Sequence, residues 1–182
     1  MARLPYLDPL DLPPEHRDIL ARPIALNRIL ANSPGAAQTI ENLGMFVRHR
    51  SRLDPRLRQL AILQVGWLAR SPYEWSHHIR ISRDFGVPDA DIAAIASETE
   101  GQDSGLEPLA RMVLRGAREM YHGPGMSAAT FDALRAHLDA ERLTELTVVV
   151  AFYCGVVRLL ATLEVDVEPD YLPCLQEFPL PR

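Results

Sequence analysis

The run from Ala69 to His78, ARSPYEWSHH, holds the side chains of this sequence best suited to chemistry. Glu74 and His78 stand four residues apart, which places them on one face of a helix about one turn from each other. A carboxylate there orients the imidazole and favours its charged form, so that the pair can transfer a proton near neutral pH. We predict that His78 is a general acid or base and that Glu74 orients it or carries the proton itself.

Substrate-binding groups are expected close to this pair. Arg56, Arg58 and Arg80 lie near it in the sequence. A guanidinium can hold a carboxylate through two parallel hydrogen bonds, and we assign this role to Arg58. Tyr73 is assigned a hydrogen bond to the substrate from its phenol. Arginines also commonly face solvent or pair with acids, and tyrosines commonly pack, so both assignments rest on sequence position.

A purely structural interpretation of Glu74 competes with the catalytic one. Ser71-Pro72-Tyr73-Glu74 matches a capping box, in which the Glu74 carboxylate bonds back to the backbone N–H of Ser71. Such a cap stabilises a helix by about 1 kcal/mol and needs no function. The two interpretations predict different structures. A catalytic Glu74 shares a cavity with His78, whereas a capping Glu74 folds back onto Ser71 beside no cavity.

A metal-binding interpretation rests on two E-x-x-H pairs, Glu74-x-x-His77 and Glu119-x-x-His122. This is the i, i+3 spacing of di-iron carboxylate bundles. The second pair adjoins a Gly-Pro-Gly sequence at the end of its helix, whereas bundle ligands project from the middle. We therefore predict no metal and no cofactor, and we assign His77 to packing or to the surface. The bridging ligands of a metal centre would have to be Glu41 and Glu145.

The amino-acid composition excludes several classes of protein function. The chain of 182 residues is 47% apolar and has a net charge of −5, which suits one globular domain and gives no electrostatic footprint for nucleic acid. It contains no lysine, which excludes Schiff-base chemistry and a lysine-dependent phosphate loop. Cys154 and Cys174 form no C-x-x-C motif, so we expect reduced thiols. The proline-interrupted N-terminus lacks a signal peptide pattern, and we expect a cytoplasmic protein.

Capping residues and prolines predict an all-α fold. Asp54-Pro55 and Ser71-Pro72 are helix starts, Gly86 is a helix stop, and Ser127 is a further cap. The apolar run from Val148 to Val157 is shorter than the roughly 20 residues of a membrane span, so we predict a buried helix and no membrane. We divide the chain into a proline-rich arm (1–22), a helical domain (23–165) and a C-terminal arm (166–182). Two similar segments, LDPRLRQLAILQVGW and LDAERLTELTVVVAFY, suggest two related helical units within that domain.

The segment LDPRLRQLAILQVGWLARSPYEWSHHIRISRDFGVPDADIAAI resembles the alkylhydroperoxidase D-like, or carboxymuconolactone decarboxylase, family. The redox branch of that family carries C-x-x-C-x-x-x-H with a glutamate upstream. Here the same frame reads Ser71-x-x-Glu74-x-x-x-His78, and Gln59 stands at the position of the glutamate. Without thiolates neither peroxide attack nor disulfide exchange can proceed, so the decarboxylase branch fits better.

The resemblance implies an all-α fold, no cofactor, and homo-oligomers whose site lies close to a subunit contact; we favour a trimer or hexamer over a dimer. We predict a cofactor-free enzyme that transfers protons on a small organic acid or lactone. The alternative is a family member without catalytic activity, serving as a scaffold or as a small-molecule binder.

Overall fold

The computed structural model describes residues 2–181, in which the chain is helical and contains no strand. The predicted all-α class is therefore confirmed. Short 3-10 helices occur at Pro9–Asp11, Pro14–Leu20 and Pro169–Tyr171. The α-helices are α1 (Ala25–Leu30), α2 (Pro34–His49), α3 (Pro55–Leu68), α4 (Pro72–Asp84), α5 (Asp89–Thr99), α6 (Pro108–His122), α7 (Ala128–Arg135), α8 (Ala140–Leu163) and α9 (Leu172–Glu177).

The helix boundaries follow the capping signals of the sequence. The Asp54 side chain accepts a hydrogen bond from the backbone of Leu57, and Ser127 does the same for Thr130. Helix α4 ends just before Gly86, whose φ of +74° lies in the left-handed region that favours glycine.

Helix α3 lies at the centre of the protein. It packs against α4, α5, α6 and α8, and every residue from Leu57 to Gly66 is buried. The two segments that resemble each other in sequence are therefore α3 and the first part of α8, packed side by side. Because α4 follows α3 after a short turn and lies against it, side chains of the two helices meet around His78.

Helix α8 is both a core helix and a surface helix. Leu146, Val149 and Val150 are fully buried, whereas Val148 is 37% exposed. The predicted burial of the run from Val148 to Val157 is therefore only partly confirmed. By length and composition alone α8 could cross a membrane, but only 33% of its most apolar window is buried inside the protein. An apolar face of α8 therefore remains on the surface.

Both terminal arms are docked onto the helical domain. The backbone N–H of Arg3 donates to the carbonyl of Leu163, and the Trp75 indole N–H donates to the carbonyl of Phe178 at 2.7 Å. The C-terminal arm contains the 3-10 turn at Pro169–Tyr171 and the helix α9. A proline in the first turn of each explains why the prolines do not interrupt them.

Candidate active site

Helix α4 presents Glu74 and His78 together, as the four-residue spacing predicts. His78 Nε2 lies 3.0 Å from Glu74 Oε1, and the two side chains are 10% and 4% exposed. From α3, the Gln59 side-chain oxygen lies 2.8 Å from His78 Nδ1. Both ring nitrogens of His78 therefore face a partner, and the imidazole is held between two helices.

This arrangement fixes the orientation of the His78 ring. As the Gln59 amide is oriented, its oxygen faces Nδ1, so Nδ1 carries a proton and donates it. The other ring nitrogen, Nε2, is thereby directed at the Glu74 carboxylate.

Glu74 does not form the capping box. Ser71 caps α4 by accepting a hydrogen bond from the Glu74 N–H at 3.4 Å, but the Ser71 N–H donates to the carbonyl of Gly66 and not to Glu74. Glu74 Oε1 is shielded from solvent and accepts no hydrogen bond with good geometry. Its contact with His78 Nε2 is short enough for an ion pair but does not have the geometry of a hydrogen bond. The carboxylate is directed at His78, and the helix cap is completed without it.

The pair lies at the wall of a cavity of about 310 Å³. Helices α1, α2, α4 and α8 enclose it, and the exposed residues Met45, Arg80 and Asp84 mark its opening. A volume of this size suits a small organic ligand. The apolar part of the lining consists of Ile24, Leu26, Ile40, Met45, Val47, Ile62, Ile81, Phe152 and Val156.

Positive charge also borders the cavity. Arg22, Arg48 and Arg80 line it together with the acidic residues Glu41 and Asp84. Arg22 is paired loosely with Glu41 at 3.7 Å. Arg48 has no ion pair or hydrogen bond from its guanidinium to any of residues 2–181, and its Nε is sealed from solvent. A guanidinium without a protein partner can bind an anionic group of a ligand.

Tyr73 lines the same cavity, but its hydroxyl is already engaged. It accepts a hydrogen bond from the Leu26 N–H at 3.1 Å and donates to Glu168 at 3.4 Å. Burial, and then the negative charge of Glu168, raise the pKa of Tyr73 far above its usual range. The structure thus brings Tyr73 to the site and commits its hydroxyl to joining α4 to α1 and to the C-terminal arm.

His77 is packed between two tyrosines. Its ring stacks on Tyr73 at 4.0 Å and on Tyr171 at 3.6 Å, and Nε2 lies 2.8 Å from Glu168 Oε2. Burial acts to raise the pKa of Glu168, but the hydrogen bonds from His77 and from the Ala25 N–H outweigh it and lower that pKa. The 3-10 turn of the C-terminal arm is thereby fastened over α4, next to the cavity.

Arg58 does not reach the cavity. It is 2% exposed, lies over the ring of Phe85 and donates to the carbonyls of Leu53 and Arg48 at 3.3 Å. Burial lowers the pKa of Arg58. Its position in the protein is that of a structural residue joining the ends of α2, α3 and α4.

The E-x-x-H pairs do not converge on one centre. Glu119 accepts hydrogen bonds from the Ser127 N–H and the Thr130 hydroxyl, and Glu145 caps the turn at 51–53. His77 binds Glu168 instead of joining Glu74. Within residues 2–181, no group of three or more His, Cys, Asp or Glu side chains is arranged to hold a metal ion.

Neither cysteine lines the cavity, and both are free thiols. Burial raises the pKa of Cys154 and of Cys174, which favours the unreactive thiol form. The site where the redox branch of the resembling family carries its thiols is occupied here by Ser71 and Glu74.

Sequence reasoning missed two polar residues of the cavity, Tyr153 and Arg48. Tyr153 belongs to the long apolar run of α8, where an aromatic residue indicates packing, and its ring meets His78 edge-on with centroids 5.0 Å apart. Arg48 lies in the last turn of α2, where a basic residue is common for reasons of helix electrostatics. Only the tertiary fold, which places α2, α4 and α8 around one cavity, brings them to the site.

Comparison with known proteins supports this fold. Residues 34–101, the segment from α2 to just after α5, match the carboxymuconolactone decarboxylase family. The matched segment contains Gln59, Glu74 and His78, and the match confirms the resemblance predicted from the sequence. No curated protein shows significant sequence similarity to the chain.

Solved structures show the same fold along nearly the whole chain. A peroxidase-related protein with an alkylhydroperoxidase AhpD core from Ralstonia eutropha JMP134 has a TM-score of 0.78 at 19% identity, covering 93% of this chain and 94% of its own. The debrominase Bmp8, solved as a cysteine-to-alanine variant with 2,3,4-tribromopyrrole, has a TM-score of 0.77 at 18% identity and 97% coverage of both chains. A peroxidase-related protein from Silicibacter sp. TM1040 has a TM-score of 0.73 at 16% identity, covering 93% of this chain and 92% of its own. At these identities the likeness establishes the fold alone.

Proposed function

We propose that this protein is a cofactor-free enzyme that transfers protons on a small organic acid or lactone. The observation that carries the proposal is the buried Glu74–His78 pair at the wall of an enclosed cavity. An exposed i, i+4 pair stabilises a helix by only about 0.2–0.5 kcal/mol, and burying two ionisable groups costs free energy. Stability is therefore a poor explanation for this pair, and proton transfer is a good one.

Glu74 is proposed to exchange the proton with the substrate, and His78 to store it. Both His78 nitrogens face protein partners, so the substrate has no direct access to a free ring nitrogen. Glu74 has a second carboxylate oxygen besides the sealed Oε1, and the residue lines the cavity. Gln59 acts as a positioning residue that holds the imidazole toward Glu74.

The cavity supports an organic acid or lactone as the ligand. Its apolar lining suits a compact hydrocarbon body, and Arg22 and Arg48 suit a negatively charged substituent. The ring of 2,3,4-tribromopyrrole in the debrominase shows that a protein of this fold holds a small planar ring. We do not extend thiol chemistry to this protein, because neither cysteine lines the cavity.

Hydrogen–deuterium exchange at carbon tests the proposal before the full reaction is known. A panel of small carboxylic acids and lactones is first ranked by ligand-induced thermal shift. The binders are then incubated with the protein in D₂O, and loss of the C–H signal next to the carbonyl is followed by proton NMR. We expect the wild type to catalyse exchange and Glu74→Gln, which keeps the shape of the side chain, to lose it by about 100-fold or more.

Glu141→Gln is the matched control, because Glu141 is exposed on α8 and pairs with Arg52 away from the cavity. It should exchange at the wild-type rate. If the panel binds but no member exchanges faster with protein than without it, the protein is a small-molecule binder and the enzymatic proposal fails.

We further propose that the protein forms a homo-oligomer, with a trimer or hexamer ahead of a dimer. Uncharged residues face solvent at helical spacing along α8, among them Val148, which is 37% exposed. Met45, which lines the cavity, is 40% exposed. A second copy that covers them would remove apolar surface from water.

Light scattering after size exclusion should show an oligomer that Val148→Glu dissociates, whereas Leu10→Glu, at an apolar residue exposed elsewhere, should leave it intact. A monomeric wild type would refute this. The exposed face of α8 includes Thr144, Val148, Ala151 and Gly155.

A further inference from the structure

Tyr153 is a partly buried tyrosine whose hydroxyl has no partner among the described residues. It makes no hydrogen bond to any of residues 2–181, although its ring packs edge-on against His78. The hydroxyl is not among the buried polar atoms that are sealed from solvent, and the residue lines the cavity. Because buried tyrosine hydroxyls usually find a partner, an open one indicates a place for a ligand atom.

Arg48 provides a second unused donor in the same cavity. Its guanidinium has no hydrogen-bond or carboxylate partner in residues 2–181, and its terminal nitrogens, unlike Nε, are not sealed from solvent. Arg48 and Tyr153 both line the cavity of about 310 Å³. A single ligand in a cavity of this size can therefore contact both side chains.

Tyr153 keeps its proton and is therefore available as a hydrogen-bond donor. Burial, and then the negative charge of Glu74, raise the pKa of Tyr153 far above its usual range, so the phenol keeps its proton at neutral pH. The arginine is likewise always protonated. The cavity thus combines a proton-transfer pair, Glu74 and His78, with two donors that cannot give up their protons.

We infer that Tyr153 and Arg48 form an oxyanion site, and that the substrate is a compact organic molecule whose reaction develops negative charge on an oxygen held there. This inference rests on the proposed function. When the C–H bond next to a carbonyl breaks, the proton passes to Glu74 and the electron pair moves into the carbonyl, which becomes an enolate oxygen. Hydrogen bonds from Tyr153 and Arg48 then stabilise that oxygen, and return of the proton to carbon reverses the step.

Equilibrium binding of 4-nitrophenolate tests the oxyanion site without any turnover. Nitrobenzene, which has the same ring without the oxyanion, serves as the matched probe. We expect the wild type to bind 4-nitrophenolate and to shift its absorbance toward the phenolate form at a fixed pH near its pKa. Tyr153→Phe and Arg48→Met should each weaken this binding about ten-fold, or by about 1.4 kcal/mol, because each removes a hydrogen bond to a charged oxygen.

Controls separate loss of a donor from loss of fold. Tyr121→Phe removes the same oxygen from α6, outside the cavity lining, and should leave 4-nitrophenolate binding unchanged. Nitrobenzene should bind the wild type and Tyr153→Phe equally well. The inference is overturned if the wild type does not bind 4-nitrophenolate, if both cavity variants bind it as tightly as the wild type, or if they lose nitrobenzene to the same degree.

The 4-nitrophenolate binding experiment and the deuterium-exchange experiment can fail separately, so failure of the oxyanion site is distinguishable from failure of the proposed function. Glu74→Gln removes a negative charge from the cavity, so it should keep or strengthen 4-nitrophenolate binding while it abolishes deuterium exchange. Absence of exchange in the wild type together with Tyr153-dependent phenolate binding would reject the proposed function and leave the oxyanion site standing. Deuterium exchange in the wild type, together with 4-nitrophenolate binding that is unchanged in Tyr153→Phe and Arg48→Met, would support the proposed function and reject the oxyanion site.

Discussion

His77 and His78 are neighbours in sequence, yet the two carboxylates that contact their imidazoles, Glu168 and Glu74, lie far apart from each other in the chain. His78 Nε2 lies 3.0 Å from Glu74 on its own helix, whereas His77 Nε2 lies 2.8 Å from Glu168 of the C-terminal arm. The two side chains leave α4 about 100° apart, as successive helical residues do. One histidine therefore belongs to the proton-transfer pair, and the other fastens the arm beside the cavity.

The fastening of the arm predicts an acid-sensitive contribution to stability. The folded-state pKa of Glu168 is lowered below its usual value of 4.5. A carboxyl group with a lowered pKa contributes stability above its unfolded pKa, and that contribution is lost as the pH falls below about 4.5 toward the folded value. Glu168→Gln should therefore be less stable than the wild type by about 1 kcal/mol above pH 4.5, and the difference should shrink on acidification.

Urea unfolding of both proteins above and below that pH measures this difference. Glu177→Gln, at an exposed carboxylate of α9 paired with Arg83, serves as a control within the same arm. A difference between wild type and Glu168→Gln that stays constant with pH would contradict the prediction, because it would show that the lowered pKa has no energetic consequence.

Glu74 and His78 should be strongly coupled in stability. Removing one member leaves the other buried without a counterpart, which in buried pairs costs about 3–5 kcal/mol, whereas removing both leaves no ionisable group stranded. We expect His78→Leu to be strongly destabilising and Glu74→Gln to restore part of the loss in the double variant. A double-mutant cycle of urea unfolding gives the coupling. Additive effects within about 0.5 kcal/mol would mean that the two side chains do not interact in the folded protein.

Arg58 illustrates the difference between what the sequence pattern predicts and what depends on the packing of the helices. The sequence predicts a helix from Asp54-Pro55, and α3 begins there. It does not predict which way Arg58 points, since α3 is buried on nearly every face and a charged residue on it has no obvious solvent side. Likewise S-x-x-E fits both a capping box and an acid–base pair, and only the packing of α3 against α4 directs Glu74 to His78.

Some of the site has no local signal at all. The contact of Glu168 with His77 joins residues that are 91 positions apart, and a proline-rich arm gives no periodic pattern from which to predict it. Tyr153 is one aromatic residue in an apolar run. The sequence therefore predicts the helices and the i, i+4 pair on α4, whereas the cavity walls depend on how α1, α2 and α8 pack against that helix.

Substitution of Arg58 should weaken the fold and spare the site. Its guanidinium lies over Phe85 and donates to the backbone carbonyls of Leu53 and Arg48, and Arg58 itself does not line the cavity. Arg58→Met should lower the free energy of unfolding by about 1–3 kcal/mol, because these buried carbonyls lose their donor. The affinity for 4-nitrophenolate, measured at a temperature where the variant remains folded, should match the wild type. Weakened binding with unchanged stability would instead return Arg58 to a substrate-binding role.

Gly44 offers a way to fill the cavity without disturbing the helix that carries it. It lies within α2 and lines the cavity, and a Cβ built on it would meet nothing within 4 Å. Gly44→Ala should stabilise the protein by about 0.5–1 kcal/mol through helix propensity alone. Gly44→Phe places a ring in the space of the ligand and should abolish nitrobenzene and 4-nitrophenolate binding at unchanged or higher thermal stability.

Gly35, in the first turn of α2 and outside the lining, is equally open, so Gly35→Phe should leave binding intact. If Gly44→Phe binds both probes like the wild type, the ligand does not occupy this cavity, and the assignments of Glu74, Tyr153 and Arg48 to one site fall together.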